Sequence, residues 1–208
     1  VGSITSENWG GVAGIAGSMY NDSAVRGSMN SGRVAGSFCV GGIVGFKSAG
    51  VADGCENTGA VGGEAASYAG GVVGNNSEGN ISGCANDGPV TGAFHAGGIV
   101  GRGKNGDILQ CDNKEQGTVT GEYRIGGIVG TSEAATADER AKISGCTNAA
   151  AILSTDTTAA SVHIGGIVGM LGSTNAAEDC TNSGAVTGVG SVTSGGWGGV
   201  GGISGSTY

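Results

Sequence analysis

Ile81-Ser82-Gly83-Cys84-Ala85-Asn86-Asp87-Gly88-Pro89-Val90-Thr91-Gly92, followed by Gly97-Gly98-Ile99-Val100-Gly101, is one cycle of a pattern that recurs along the chain. Its closing motif, Gly-Ile-Val-Gly with small variations, occurs seven times and ends at Gly17, Gly45, Gly74, Gly101, Gly130, Gly169 and Gly205. Those glycines advance by 28, 29, 27, 29, 39 and 36 residues. Self-similarity on this scale marks a stack of like units, in which each unit buries its apolar edge against the next. Residues 1–208 therefore read as a single repeat solenoid. The chain opens in mid-pattern at Val1 and stops three residues after a motif, as expected of a piece of a longer array.

The composition agrees. Glycine supplies 48 of 208 residues, without the every-third-position spacing that collagen requires. Charged residues are 12% and apolar ones 38%, with Val and Ile placed regularly, which argues against disorder. What fits is a set of short strands joined by tight corners, where glycine reaches positive φ without strain. Pro89 is the single proline, so pairing is hardly interrupted. The net charge of −8 and nine scattered Lys and Arg residues exclude a basic stripe for nucleic acid. Apolar runs fall far short of the roughly 20 residues of a helical membrane span.

Each cycle holds three apolar pieces: the Ile-Val of the motif, the residue before the cysteine segment (Ile81, Ile108, Ile143), and the Val after the Asn turn. Three short strands per cycle suit one coil of a triangular, right-handed parallel β-solenoid, an all-β fold of about seven coils. At ~4.8 Å per coil the rod is roughly 30 Å long. A β-propeller blade is the competing unit, but it needs four strands in about 40 residues.

Asn30, Asn57, Asn86, Asn113, Asn148 and Asn182 hold one place in six consecutive cycles. A stacked amide can donate to its neighbour and still bond its own turn, so a continuous inward ladder is expected. Cys55, Cys84, Cys111, Cys146 and Cys180 share a second column, with Ser28 in the first cycle and Cys39 elsewhere. Five members cannot all pair, and no C-x₂₋₄-C spacing suggests zinc; the column reads as a row of small buried side chains.

The linked signatures Gly-Gly-Ile-Val-Gly and Ile-Ser-Gly-Cys-x-Asn-x-Gly resemble the GLUG-motif repeat of bacterial cell-surface and secreted proteins. Residues 81–101 and 143–148 match it most closely, and the resemblance runs from about Gly10 to Gly205. Such repeats resemble segments beside the catalytic part of IgA-specific zinc metallopeptidases and segments of adhesin-like proteins. The resemblance implies an extracellular or cell-surface module beside neighbouring domains of the same polypeptide, with a host glycan or protein as possible ligand and no activity of its own. The first motif lacks the double glycine, and Ser204 replaces Val in the last. The fifth cycle carries two insertions, 131–142 and 153–163; the first has helix formers after a potential Ser132 cap. Both belong to one coil and should emerge at the same height on its surface.

No residue is assigned a catalytic, cofactor-binding or metal role. The H-E-x-x-H of a zinc peptidase is absent, and so is the calcium repeat G-G-x-G-x-D. His95 and His163 stand 68 residues apart in a slot that Cys39, Tyr68 and Arg124 fill in other cycles, which reads as a variable outward position of solvated side chains. Two alternatives stand beside a non-catalytic spacer or adhesive module. A carbohydrate-active β-helix, lyase or hydrolase, needs paired carboxylates; Glu56 and Asp112 share a position two coils apart, at ~9.6 Å, without basic or aromatic company. An ice-binding solenoid needs a regular Thr array, and only Thr91, Thr120 and Thr187 align. A looser aromatic column, Trp9, Phe38, Tyr68, Phe94, Tyr123 and Trp197, reads as core stacking, with a sugar platform as the other option. Consecutive apolar Ile43 and Val44 pose a puzzle: either the glycines bend the chain there, or an apolar row awaits a partner.

Overall fold

A computed structural model describes residues 10–133, 140–155, 162–188 and 198–207. Among these residues there is no helix, and the strands form five parallel sheets of seven, seven, six, six and five members. One coil runs through Val40–Gly41, Val44–Lys47, Val51–Asp53, Glu56–Asn57 and Val61–Gly62; Tyr68–Gly70 then starts the next coil beside Val40–Gly41. The all-β parallel solenoid expected from the repeats is the fold. A complete coil has five short paired segments where three were expected. The extra two are the pre-motif segment, such as His95–Gly97, and the asparagine segment, such as Ala85–Asn86. Two or three residues suffice for a strand here, because each is hydrogen-bonded to the coil before and the coil after.

The puzzle of Ile43 and Val44 resolves at a corner. The chain turns at Gly42-Ile43, so both apolar side chains point into the same core and both are fully buried. A Cβ on Gly42 would collide with the Gly71 carbonyl and with Asn57 Cγ, which is why the corner is glycine. Asn57 belongs to the asparagine segment on the far side of the coil. The Gly42 and Asn57 columns therefore meet across the coil and pinch it into two lobes.

Each lobe has its own apolar core. The larger contains the motif pairs, the column Ala52, Ile81, Ile108 and Ile143, and the cysteine column. The smaller joins the pre-motif residues Val40, Ala69, Ala96, Ile125 and Ile164 to Val61, Val90, Val119 and Ile152. Truncating one of these isoleucines to alanine carries a cost of about 2–5 kcal/mol.

The asparagine ladder at the waist is continuous. Nδ2 donates to Oδ1 of the next rung at 2.7 Å (Asn30 to Asn57), 2.8 Å (Asn57 to Asn86), 2.9 Å (Asn86 to Asn113), 2.8 Å (Asn113 to Asn148) and 2.7 Å (Asn148 to Asn182). The second amide hydrogen goes to the carbonyl of the rung's own turn, such as Gly59 or Gly88 at 2.8 Å. The cysteines are all free, and every one except the half-exposed Cys180 is buried. In the column of five, Sγ faces a carbonyl of the preceding coil, as Cys84 does Ala52 at 3.7 Å.

The fifth coil carries the insertions, and only their ends are described. Ser132 ends the strand Val129–Ser132 and accepts from Asn175 Nδ2 at 2.8 Å. The helix formers at 134–139 lie outside the described residues, as do 156–161.

Candidate functional site

Where the pre-motif strand folds back into the motif strand, the outer faces of these two sheets close on each other. Two glycine columns permit the approach. A Cβ on Gly97 would overlap the Val100 carbonyl, and one on Gly101 would sit 2.8 Å from Ala69 N. The result is a furrow between the lobes with a backbone-on-backbone floor. One wall is the column Tyr68, His95, Arg124 and His163, with Cys39 one coil earlier; the other is Phe46, Asn75, Arg102, Thr131 and Met170.

Contacts cross the furrow with a rise of one coil. Arg102 lies 5.6 Å over the Tyr68 ring, His95 Nδ1 is 2.7 Å from Thr131 Oγ1, and His163 Nδ1 is 2.6 Å from Ser206 Oγ. His163 is only 4% exposed. The slot that reads as outward and solvated is thus outward of its own sheet but covered by the next one, which corrects the expectation for both histidines. Burial, with Arg124 nearby, pushes the His95 imidazole down to about 4 and lowers that of His163. Both rings are neutral at pH 7. Burial also pushes the Cys39 thiol up to about 12, against the thiolate needed of a nucleophile.

Charge in the furrow is paired unevenly. Burial opposes ionisation of both Arg102 and Glu133, but their bond at 2.6 Å outweighs it, raising Arg102 and lowering Glu133. Arg124 reaches the same carboxylate only at 4.0 Å. Two guanidiniums therefore share one acid, leaving a positive spot on a chain of net charge −8.

The aromatic residues correct a second expectation. They belong to neither core. Phe38 and Tyr68 pack at 5.1 Å between centroids, Tyr68 and His95 at 4.9 Å, and Phe94 stacks on Tyr123 at 5.3 Å and 14°. Val40, Ala96, Ile125 and Ile164 take the interior instead; Phe38, Phe94 and Tyr123 sit in the bends before these strands, where strand alternation does not set their direction. Trp9 and Trp197 lie outside the described residues. Phe94, His95, Tyr123, Arg124 and His163 line a half-open concavity of about 360 Å³ at the furrow's mouth.

The remaining candidates separate. Glu56 and Asp112 do share a column, with Ala85 between them. Glu56 is held by Lys114 at 2.5 Å, and Asp112 accepts from Thr147 at 2.5 Å. Thr91 and Thr120 stack, but Leu153 interrupts the column before Thr187. No group of three or more His, Cys, Asp or Glu side chains among the described residues could hold a metal ion. No described helix is long and apolar enough to cross a membrane.

Lys47 belongs to none of the repeated signatures. It is fully buried at the edge of the larger core, donating to Asn76 Oδ1 at 2.9 Å and to the Glu78 carbonyl at 2.6 Å. Burial pushes its ammonium down to about 8. Its register with Met19 and Asn76 was the available signal, since those columns face inward.

No protein-family model matches the chain, and no curated protein does. Among solved structures it is similar to a candidate immunoglobulin A1 protease from Bacteroides ovatus, with a TM-score of 0.57 and 19% identity. The likeness covers 84% of this chain and 59% of that one. At this identity the likeness is one of fold. The chain spans well under two thirds of that protein's length.

Proposed function

We propose that this chain is a non-catalytic, extracellular repeat module of a larger bacterial surface protein, a stiff spacer that also presents an adhesive furrow. The observation that carries the reading is the unbroken amide ladder from Asn30 to Asn182. A bonded axis of this kind resists bending and leaves the coil's outer faces free to vary. The GLUG-like motifs and the fold shared with the Bacteroides ovatus protein support the surface setting. Engagement of Glu56 by Lys114 and of Asp112 by Thr147 supports the absence of catalysis.

Arrays of glycans and host proteins, probed with this chain, test the reading. Specific binding to one class is the expected result. Binding to nothing above background would reduce the role to spacing. Release of sugar from any member of a polysaccharide panel would overturn the non-catalytic assignment.

A further inference from the structure

The concavity at the furrow's mouth combines three features. The first is an exposed aromatic platform. Phe94 is 48% exposed and lies nearly parallel to Tyr123, so the pair offers an apolar step two coils tall. Its neighbours along the sheet, Ser67 and Val162, carry no ring, so the step is confined to these two coils. The second is a cation with spare donors. Arg124 touches Glu133 only at 4.0 Å, because the same carboxylate is already taken by Arg102 at 2.6 Å. A guanidinium carries five N–H donors in a planar fork, which suits a carboxylate. The third is a pair of imidazoles, His95 and His163, whose Nδ1 atoms are turned to Thr131 and Ser206. They frame the concavity without adding charge at neutral pH.

We infer that this concavity binds a terminal pyranose bearing a carboxylate, with the sugar's apolar side against the Phe94–Tyr123 stack and the carboxylate on Arg124. The volume of about 360 Å³ sits at the lower end of the ~300–1,000 Å³ of small-molecule sites, which fits the end of a glycan better than its middle. Charge selects the acidic sugar. Arg124 is the member of the Arg102–Glu133–Arg124 group left without a close partner, on a surface otherwise acidic enough to repel anions. The aromatic stack selects a sugar over a small inorganic anion, which would gain nothing from an apolar wall. The inference rests on the adhesive half of the proposed function. It names the surface and the chemistry of its ligand.

The test measures binding of the whole chain to four immobilised oligosaccharides: one capped with sialic acid, one with galacturonic acid, and the neutral galactose-capped version of each. Binding of at least one acidic cap, tenfold or more above its neutral version and weakening with added salt, is expected. Arg124→Gln and Phe94→Ala should each lower that binding at least tenfold, while Leu153→Ala, on a different face, leaves it unchanged. Phe94 lies outside both cores, so thermal unfolding of Phe94→Ala should match the parent chain. Equal binding of acidic and neutral caps, or full binding by both variants, overturns the inference. If the acidic caps fail while a protein or neutral glycan binds, the module is adhesive and this site assignment is wrong. If nothing binds, the adhesive reading falls with it.

Discussion

Asn57 gives one amide hydrogen to Asn86 Oδ1 at 2.8 Å and the other to its own Gly59 carbonyl at 2.8 Å. Each rung therefore closes its turn and fastens its coil to the next with the same side chain. Asn86→Ala strips Asn113 Oδ1 of its donor, leaves Asn57 without an acceptor and vacates the Gly88 carbonyl. Buried groups deprived in this way carry penalties of about 1–3 kcal/mol each. Urea unfolding should show a loss of ~3 kcal/mol or more, whereas exposed Glu64→Ala should stay within about 0.5 kcal/mol of the parent.

Glycine substitutions should split by position. Gly97→Ala pushes a methyl group into the Val100 carbonyl, so the two sheets must separate and soluble folded protein should drop sharply. The residue preceding each column cysteine is different. Gly54, Gly83 and Gly145 have φ of 59°, 57° and 63°, and Gln110 and Asp179 hold the same left-handed conformation at 52°. Gln110→Gly relieves a left-handed penalty of roughly 1 kcal/mol and should raise the unfolding midpoint.

Columns that repeat through the whole stack were legible in the sequence. Asn30 to Asn182, Cys55 to Cys180 and the Ile-Val pairs face the same surroundings in each coil, so the same residue type recurs. The pre-motif sheet was hidden because its members, such as Tyr68-Ala69-Gly70 and His95-Ala96-Gly97, are three residues long and differ outside the glycine. The burial of His163 was not readable at all. It arises from contact between the outer faces of two sheets, one coil out of step, and no periodicity within a coil encodes that contact.

Lys47 makes stability depend on alkaline pH. Its folded value of about 8 lies below the 10.5 of an unfolded chain, so the unfolded state holds more protons between these limits. The penalty for burying the charge is complete below pH 8, and stability rises as pH climbs from 8 to 10.5 by as much as ~3 kcal/mol. Lys47→Met should flatten that rise in denaturant titrations at pH 7.5 and pH 10. An unchanged slope would mean that the amine is solvated.

His95 acts in the acid range with the same sign. Its folded value of about 4 lies below 6.5, so stability falls as pH drops through that window and the unfolded chain takes up the proton. Arg124 and Arg102 oppose the imidazolium, and Glu133 favours it without prevailing. His95→Gln should lose less stability than the parent between pH 7 and pH 4.5, as measured by thermal unfolding.

Thiol counting distinguishes a cysteine row from a disulfide staple. Denatured protein should titrate six thiols, and folded protein should expose at most the half-buried Cys180 on the same timescale. Fewer than six after denaturation without reductant would show inter-coil bonds.

The central claim is a stack of like residues on one axis, and a crystal structure of this chain read at Asn57 and Asn86 tests it most directly. The account predicts the two amides buried and joined, with Nδ2 about 2.8 Å from Oδ1. Side chains turned to solvent, or separated beyond hydrogen-bonding distance, would contradict it.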